Sequence, residues 1–418
     1  MDQPTQSEHG ADLAGLFNPM SPEFMANPHG AYAVTREKAP VCPVGPGTWV
    51  VTGREEMMAV LREPARFSSR KNLDGQYPFC DEAQQILADS LFYRVALFNV
   101  EPPEHGRFRA FINEEFSPRA LRRREPAIRA LAAELVDGFS KDGGVDLLSR
   151  LAYPLPMTVI CDIIGVPVED RATVKAWNND WLMMQVVPLP PEEQVRCARS
   201  VVEYENYYRE LLAKRQSEPK DDLLTVFVQE AAKDEPVCTL DDAIVSVRVM
   251  LAAGHETTSN LIANTMYQLL RDRQLWEQLV ADPALAAAAV EEGLRFDPSV
   301  QGAPREATED TTVGGVQIPA GAKVQAMFAA AGHDPATADD PDAFRLDRQG
   351  PPRHFGFGYG IHFCLGAPLA RLESRIALET LAAKLPDLAL APDFEPQYLP
   401  GGLVFHGLAA LPVVWSTD

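Results

Sequence analysis

Apolar residues recur at intervals of three and four through most of the chain, the spacing that stacks side chains along one face of an α-helix. These stripes predict helices over residues 55–62, 125–139, 155–164, 169–184 and 192–215, with short polar breaks between them. The longest helix opens at Thr239-Leu240-Asp241-Asp242, an N-cap followed by an acidic first turn, and persists to about Arg271. Such a length exceeds that of an average globular helix and predicts an element crossing the whole core. A last stripe of Leu369, Leu372, Ile376, Leu381 and Leu385 ends at Pro386. Strand-like stretches are few: residues 48–52, 311–313 and 323–326, with turns at Gly314-Gly315 and Pro319-Ala320-Gly321, and an extended run over 300–305. The predicted fold class is therefore mainly α with a small β region. No repeat and no low-complexity linker interrupts it, which predicts one continuous domain over residues 1–418.

Two places break the pattern. Inside the long helix lies Leu251-Ala252-Ala253-Gly254-His255-Glu256-Thr257-Thr258. A mid-helix glycine costs about 1 kcal/mol against alanine, and a carboxylate beside two β-branched alcohols adds nothing to a buried helix. A threonine hydroxyl can bond a carbonyl one turn back, which predicts a loosened ladder here with room for a small ligand or water. A polar seam against a neighbouring helix is the other reading. The second break is the loop Phe355-Gly356-Phe357-Gly358-Tyr359-Gly360-Ile361-His362-Phe363-Cys364-Leu365-Gly366, which runs into Ala367-Pro368-Leu369-Ala370-Arg371. Its glycines permit positive φ and close backbone approach, as a loop lying on a flat group needs. A cysteine just before a helix start has its thiolate favoured by unpaired N–H groups and the helix dipole. Cys364 is the candidate metal ligand, and Phe357 can pack on the flat group.

Net charge is −21, from 59 acidic and 38 basic residues, which argues against nucleic acid or an anionic membrane surface as a partner. Against that acidity, Arg119, Arg122, Arg123 and Arg124 form a basic cluster. It reads first as a solvated face and otherwise as a docking patch for an acidic electron donor. The N-terminal residues hold no apolar leader core, and no run of eighteen apolar residues occurs. Six cysteines are scattered without CxxC or disulfide-framework spacing, which fits a reducing cytoplasm. His105 and Arg109 are four apart and share a helix face if a helix begins after Pro102-Pro103, a pair suited to carboxylates.

The arrangement Phe357-x-x-Gly360-x-x-x-Cys364-x-Gly366 resembles the haem-binding signature of the cytochrome P450 family, in which the cysteine thiolate is the proximal ligand of haem iron. Further segments match that family in order across nearly the whole chain. The resemblance implies a cytochrome P450 fold of the soluble bacterial type, with haem b (iron protoporphyrin IX) between the long central helix and the helix following the cysteine loop. It makes His105, Arg109, Arg305 and His362 propionate-binding residues, with His354 a weaker candidate. Glu256 and Thr257 become the acid and alcohol of the oxygen-activating motif. Glu292-x-x-Arg295 becomes a structural ion pair on the cysteine side, where Gly293 implies tight packing or a weaker helix. Val186-Val187-Pro188-Leu189-Pro190-Pro191 becomes a lid, and Gly401-Gly402-Leu403-Val404-Phe405-His406-Gly407-Leu408 reads as a terminal hairpin whose turn dips into the pocket.

The implied activity is dioxygen-dependent hydroxylation or other oxidation of an apolar or aromatic small molecule in secondary metabolism. No flavin or nicotinamide fingerprint is present, so electrons from NAD(P)H are expected to arrive through a separate ferredoxin or flavodoxin and its reductase. A cytoplasmic monomer that binds neither membrane nor nucleic acid is expected. The alternatives are a peroxide-driven or coupling and ring-closing haem-thiolate enzyme and, outside enzymes, a haem-based sensor or ligand-binding protein. Segments 79–98, 177–191, 249–253, 299–303 and 404–406, rich in Phe, Trp, Met and Val, are the expected pocket lining. Arg248, in an apolar run, reads as a structural ion pair before it reads as an anchor for an acidic substrate group.

Overall fold

Thr239 and Asp242 cap the long helix reciprocally: the Asp242 amide donates to Thr239 Oγ1 at 3.2 Å, and the Thr239 amide donates to Asp242 Oδ2 at 2.8 Å. From there the helix runs Leu240–Arg271 without interruption, as its stripe predicts. Every residue of the span is α-helical. Gly254 has a packing reason: a Cβ there would sit 2.9 Å from Ile160 Cγ1.

The structure is a computed structural model describing residues 13, 15–18, 21–72, 77–94, 99–350, 353–399 and 403–417. Residues 95–98 of the expected pocket lining and Gly401-Gly402 of the terminal hairpin lie outside them, as do residues 1–12. The chain forms two compact units.

The first unit comprises Met1–Ser69, Pro118–Pro156 and Thr257–Asp418. Its five-stranded sheet has the order Val41–Gly45, Thr48–Val51, Lys323–Ala326, Ala303–Ala307 and Phe67–Ser68. The second and third strands pair in parallel and the others antiparallel. Val41–Gly45 is absent from the sequence-based prediction because Pro43 and Gly45 disguise it; at the sheet edge a proline's missing donor costs nothing. The helix expected at 125–139 instead spans Pro118–Asp137 with Pro126 inside it, so the arginine cluster is helical. It packs on Ala367–Lys384 through Glu125, Arg129, Glu379 and Arg375, with bonds of 2.7 to 3.0 Å.

Glu292 and Arg295 belong to Ala286–Phe296 and are 4% and 5% exposed, so this is a buried pair. Arg295 donates to both Glu292 oxygens and to the carbonyls of Gly332, Pro341 and Ala343, at 2.7 to 2.9 Å. Arg348 Nε completes the carboxylate at 2.9 Å. Gly293 answers to tight packing, since a Cβ there would fall 2.1 Å from Thr265 Oγ1.

A buried imidazole cluster joins the start of this unit to its end. His406 lies 2.7 Å from Asp297 Oδ1 and 2.9 Å from the Met25 carbonyl, while the rings of His29 and His333 are 4.1 Å apart. Burial, then the neighbouring His333, lowers the His29 pKa from 6.5 to about 3. Its folded-state value lies below its unfolded one, so the stability it contributes is complete above pH 6.5 and is lost as pH falls toward 3. The melting temperature of the wild type is expected to fall across that window, and less steeply in His29→Gln. Equal slopes would assign the acid lability to other groups.

The second unit comprises Arg70–Ser117 and Met157–Glu256. Its helices include Asp81–Leu87, Glu104–Asn113, Arg171–Val186, Pro191–Ser217 and Leu223–Ala231. At its centre Arg248 pairs with Glu205 at 3.0 Å, both 1% exposed. Arg248 also donates to the Leu91 carbonyl at 3.1 Å, and the Leu91 amide donates to Glu205. The structural reading of Arg248 holds: its buried charge is tolerable because Glu205 and the Leu91 carbonyl partner it, although its Nε is left without a hydrogen bond.

Candidate active site

In the first unit the cysteine loop is shaped by two residues with positive φ, Gly358 at 72° and Gly360 at 77°. A Cβ on Gly360 would lie 2.6 Å from the Leu61 carbonyl, so the loop presses directly on the helix Arg54–Arg62. The Cys364 amide donates to the Phe357 carbonyl at 2.9 Å, which closes the loop on itself. Gly366 then caps Ala367–Lys384, and a Cβ on Gly366 would lie 4.0 Å from Cys364 Sγ. Ile361 and Phe363 are exposed, while Phe357, Cys364 and Leu365 are half-buried. An apolar loop left this open is a bed for a flat apolar group.

The chemistry of the donors selects the same residue. Burial pushes the thiols of Cys42 and Cys197 up to about 11 and those of Cys161 and Cys238 up to about 12, so they stay protonated at neutral pH. Cys80 is half-buried and lies in the second unit, its Sγ 3.9 Å from the Pro191 carbonyl. Cys364 combines partial accessibility with a position just ahead of a helix, and so fits the thiolate of a haem.

The other predicted residues divide between the units. His362 and Arg305 share the first unit with Cys364. His362 Nε2 lies 3.0 Å from Ser69 Oγ, a partner nearly three hundred residues away that no local pattern announces. Arg305 stands in the strand Ala303–Ala307 opposite Val324, and its Nη1 donates to the Pro304 carbonyl at 2.7 Å. His105 and Arg109 belong to the second unit, on Glu104–Asn113, the helix expected after the proline pair. Burial, then the Arg109 charge, lowers the His105 pKa, which favours the neutral imidazole. Arg109 Nε donates to Asn113 Oδ1 at 3.0 Å.

Midway along the long helix, Ala252, Ala253, Gly254, Glu256 and Thr257 are half-buried, although their neighbours Leu251, His255, Thr258 and Ser259 are buried. This helix therefore carries one open stretch of small and polar residues within a core element. Glu256 closes the second unit's share of the helix and Thr257 begins the first unit's. Glu256 Oε2 lies 3.4 Å from Nε2 of His255, whose Nδ1 is 2.9 Å from the Leu251 carbonyl. The hydrogen bond from His255, reinforced by the charges of His255 and Lys175, outweighs burial and holds the Glu256 carboxyl below the usual carboxylate range. An ionised Glu256 is ready to accept a proton.

His354 is not left for a propionate: its Nε2 lies 3.0 Å from Glu291 and its Nδ1 accepts from the Gly356 amide at 3.1 Å. Glu291 escaped the sequence reading because it is one acid in an ordinary helix, and its partners lie 63 and 80 residues away.

Residues 45–384 match the family model described as Cytochrome P450. The chain is 35% identical to Vitamin D(3) 25-hydroxylase of Pseudonocardia autotrophica, covering 97% of each sequence. It is 33% identical to 6-deoxyerythronolide B hydroxylase of Saccharopolyspora erythraea, covering 94% of this chain and 97% of that one. Among solved structures, cytochrome P450 CREJ in complex with (4-ethylphenyl) dihydrogen phosphate superposes with a TM-score of 0.87 at 31% identity, over 96% of this chain and 99% of that one.

Proposed function

The chain belongs to the cytochrome P450 family, and on that premise we propose that it is a single-domain monooxygenase of secondary metabolism that hydroxylates a sizeable apolar or aromatic small molecule. Haem b, when bound, would supply the oxygen chemistry, by which dioxygen, two electrons drawn from NAD(P)H through redox partners and two protons give one oxygen atom in the product and one water. The observation that carries the reading is the half-buried Cys364 on its glycine-shaped loop just ahead of a helix, where four of the other cysteines are held protonated by burial. Cys364 would hold the haem iron through its thiolate. His105, Arg109, Arg305 and His362 are assigned to the two propionates, whose charge matches donors of this kind.

Glu256 and Thr257 carry the proton work. Glu256, kept ionised by His255, takes a proton at a carboxylate oxygen and releases it toward the open stretch of the helix. The Thr257 hydroxyl both donates and accepts, so it can orient a water on that path. Replacing Thr257 by alanine is expected to leave substrate binding unchanged. Product formed per NAD(P)H should then fall roughly tenfold or more, with peroxide rising in its place. Unchanged coupling would sink the relay.

The partner is proposed to be an acidic ferredoxin or flavodoxin with its reductase. Arg119, Arg122 and Arg123 are exposed on Pro118–Asp137, in the same unit as Cys364, and offer it a cationic face. Among the described residues no helix is long and apolar enough to cross a membrane, and a cytoplasmic monomer fits a reductase fed by NAD(P)H. The two relatives named for vitamin D(3) and 6-deoxyerythronolide B support a substrate of considerable size. The apolar residues of segments 177–191, 249–253 and 404–406 support an apolar one.

A further inference from the structure

Behind the cysteine loop stands a charged group that the reaction does not use directly. Glu291, on Ala286–Phe296, receives Arg371 in a two-pronged contact: Arg371 Nε donates to Oε1, and Nη2 donates to Oε2 at 3.0 Å. His354 Nε2 meets the same carboxylate at 3.0 Å. Because His354 Nδ1 accepts from the Gly356 amide, its Nε2 must carry the proton that it gives to Glu291, so the contacts fix one neutral tautomer. Burial would raise the Glu291 pKa, but hydrogen bonds from His354 and Arg371 bring it down to about 2, so the carboxylate is charged throughout the working range.

Two paths lead from this carboxylate to the sulfur's backbone. Through His354 it holds the Gly356 amide, at a position where a Cβ would strike the Leu294 carbonyl at 2.7 Å. Through Arg371 it holds a guanidinium 4.6 Å from the centre of the Phe357 ring. The Phe357 carbonyl in turn accepts the Cys364 amide at 2.9 Å. All of these residues lie in one unit.

We propose that Glu291, His354 and Arg371 are positioning residues that brace the cysteine loop and, by cancelling the Arg371 charge beside Phe357, set how strongly the Cys364 thiolate donates electrons. The proposal rests on Cys364 being the haem ligand. Outer groups that orient a metal ligand commonly tune the metal as much as the ligand itself does. The sign follows from electrostatics. Glu291→Gln keeps the shape but leaves the Arg371 cation uncompensated, and a nearby cation favours the state holding the extra electron. The reduction potential should therefore rise. The double variant Glu291→Gln/Arg371→Leu removes both charges and should return it toward the wild-type value. His354→Phe deletes the acceptor for Gly356 without changing charge, and should speed loss of the thiolate-type carbon-monoxide band on mild warming. His354→Asn, whose Oδ1 can take the place of Nδ1, should slow that loss again.

The experiment is spectroelectrochemical titration of the holoprotein together with timed carbon-monoxide difference spectra of the four variants. A raised potential in Glu291→Gln that the double variant reverses, with His354→Asn outlasting His354→Phe, supports the brace. A wild-type potential in Glu291→Gln, or the same shift in single and double variants, overturns it. If Glu291→Gln fails to load haem, the histidine pair decides: equal decay in the two variants overturns the proposal. A wild-type protein with no thiolate band at all would instead count against Cys364 as ligand, which is a separate failure.

Discussion

Replacing Cys364 by alanine leaves a folded protein that has lost the thiolate-type carbon-monoxide band and forms product only at background level. The fold should survive because the residue is half-buried and its amide, not its side chain, closes the loop on Phe357. Alanine keeps that amide. Four of the other described cysteines are held protonated by burial, and Cys80 Sγ lies 3.9 Å from the Pro191 carbonyl. Ligation by a thiolate is a property of one atom in one place, so the expected loss is complete rather than partial. The check is a carbon-monoxide difference spectrum beside circular dichroism of the same sample. A persisting thiolate band would move the ligand elsewhere.

Replacing Arg295 by alanine is expected to act on the fold with comparable severity. Five hydrogen bonds from one guanidinium disappear, and Glu292 keeps Arg348 and the Arg345 amide as partners while its principal buried cation is gone. Removing one member of a buried ion pair typically costs about 3–5 kcal/mol, because the remaining charge stays desolvated. That is a large share of a domain's usual net stability of about 5–15 kcal/mol. The three carbonyls released, at Gly332, Pro341 and Ala343, belong to the segment leading toward the cysteine loop, so haem loading should fall with stability. Arg295→Lys should recover little, since an ammonium cannot reproduce the planar fork. Urea unfolding of both variants provides the measurement; a midpoint near that of the wild type would remove this network from the list of what holds the cysteine side together.

Local pattern carried a good deal of this molecule. The long helix announces itself through its cap and stripe, and the cysteine loop through glycines and one thiol at fixed spacing, because each is set by residues close in sequence. What local pattern missed is set at long range. Gly254 reads as a weak point in a helix, yet it exists because Ile160 presses against it. Arg248 is conspicuous in an apolar run, but Glu205, forty-three positions earlier, looks like any helix-surface acid until the fold buries both. The same holds for Ser69 beside His362 and for Glu291 behind the cysteine loop. Pro126, a helix breaker by propensity, sits inside Pro118–Asp137 because the packing of that helix on Ala367–Lys384 outweighs one missing backbone bond. Arg119, Arg122 and Arg123, three and four positions apart, therefore share a face of that helix and do not lie in a loop.

Cys364 is proposed to hold a haem whose reaction is directed at a sizeable apolar molecule. The most direct test is the visible spectrum of the purified, haem-loaded protein during titration with a panel of apolar and aromatic metabolites, with a carbon-monoxide difference spectrum on the same sample. A thiolate-type carbon-monoxide band together with a low-spin to high-spin shift for one compound is the expected result. A fully reconstituted sample with no thiolate-type band would contradict it.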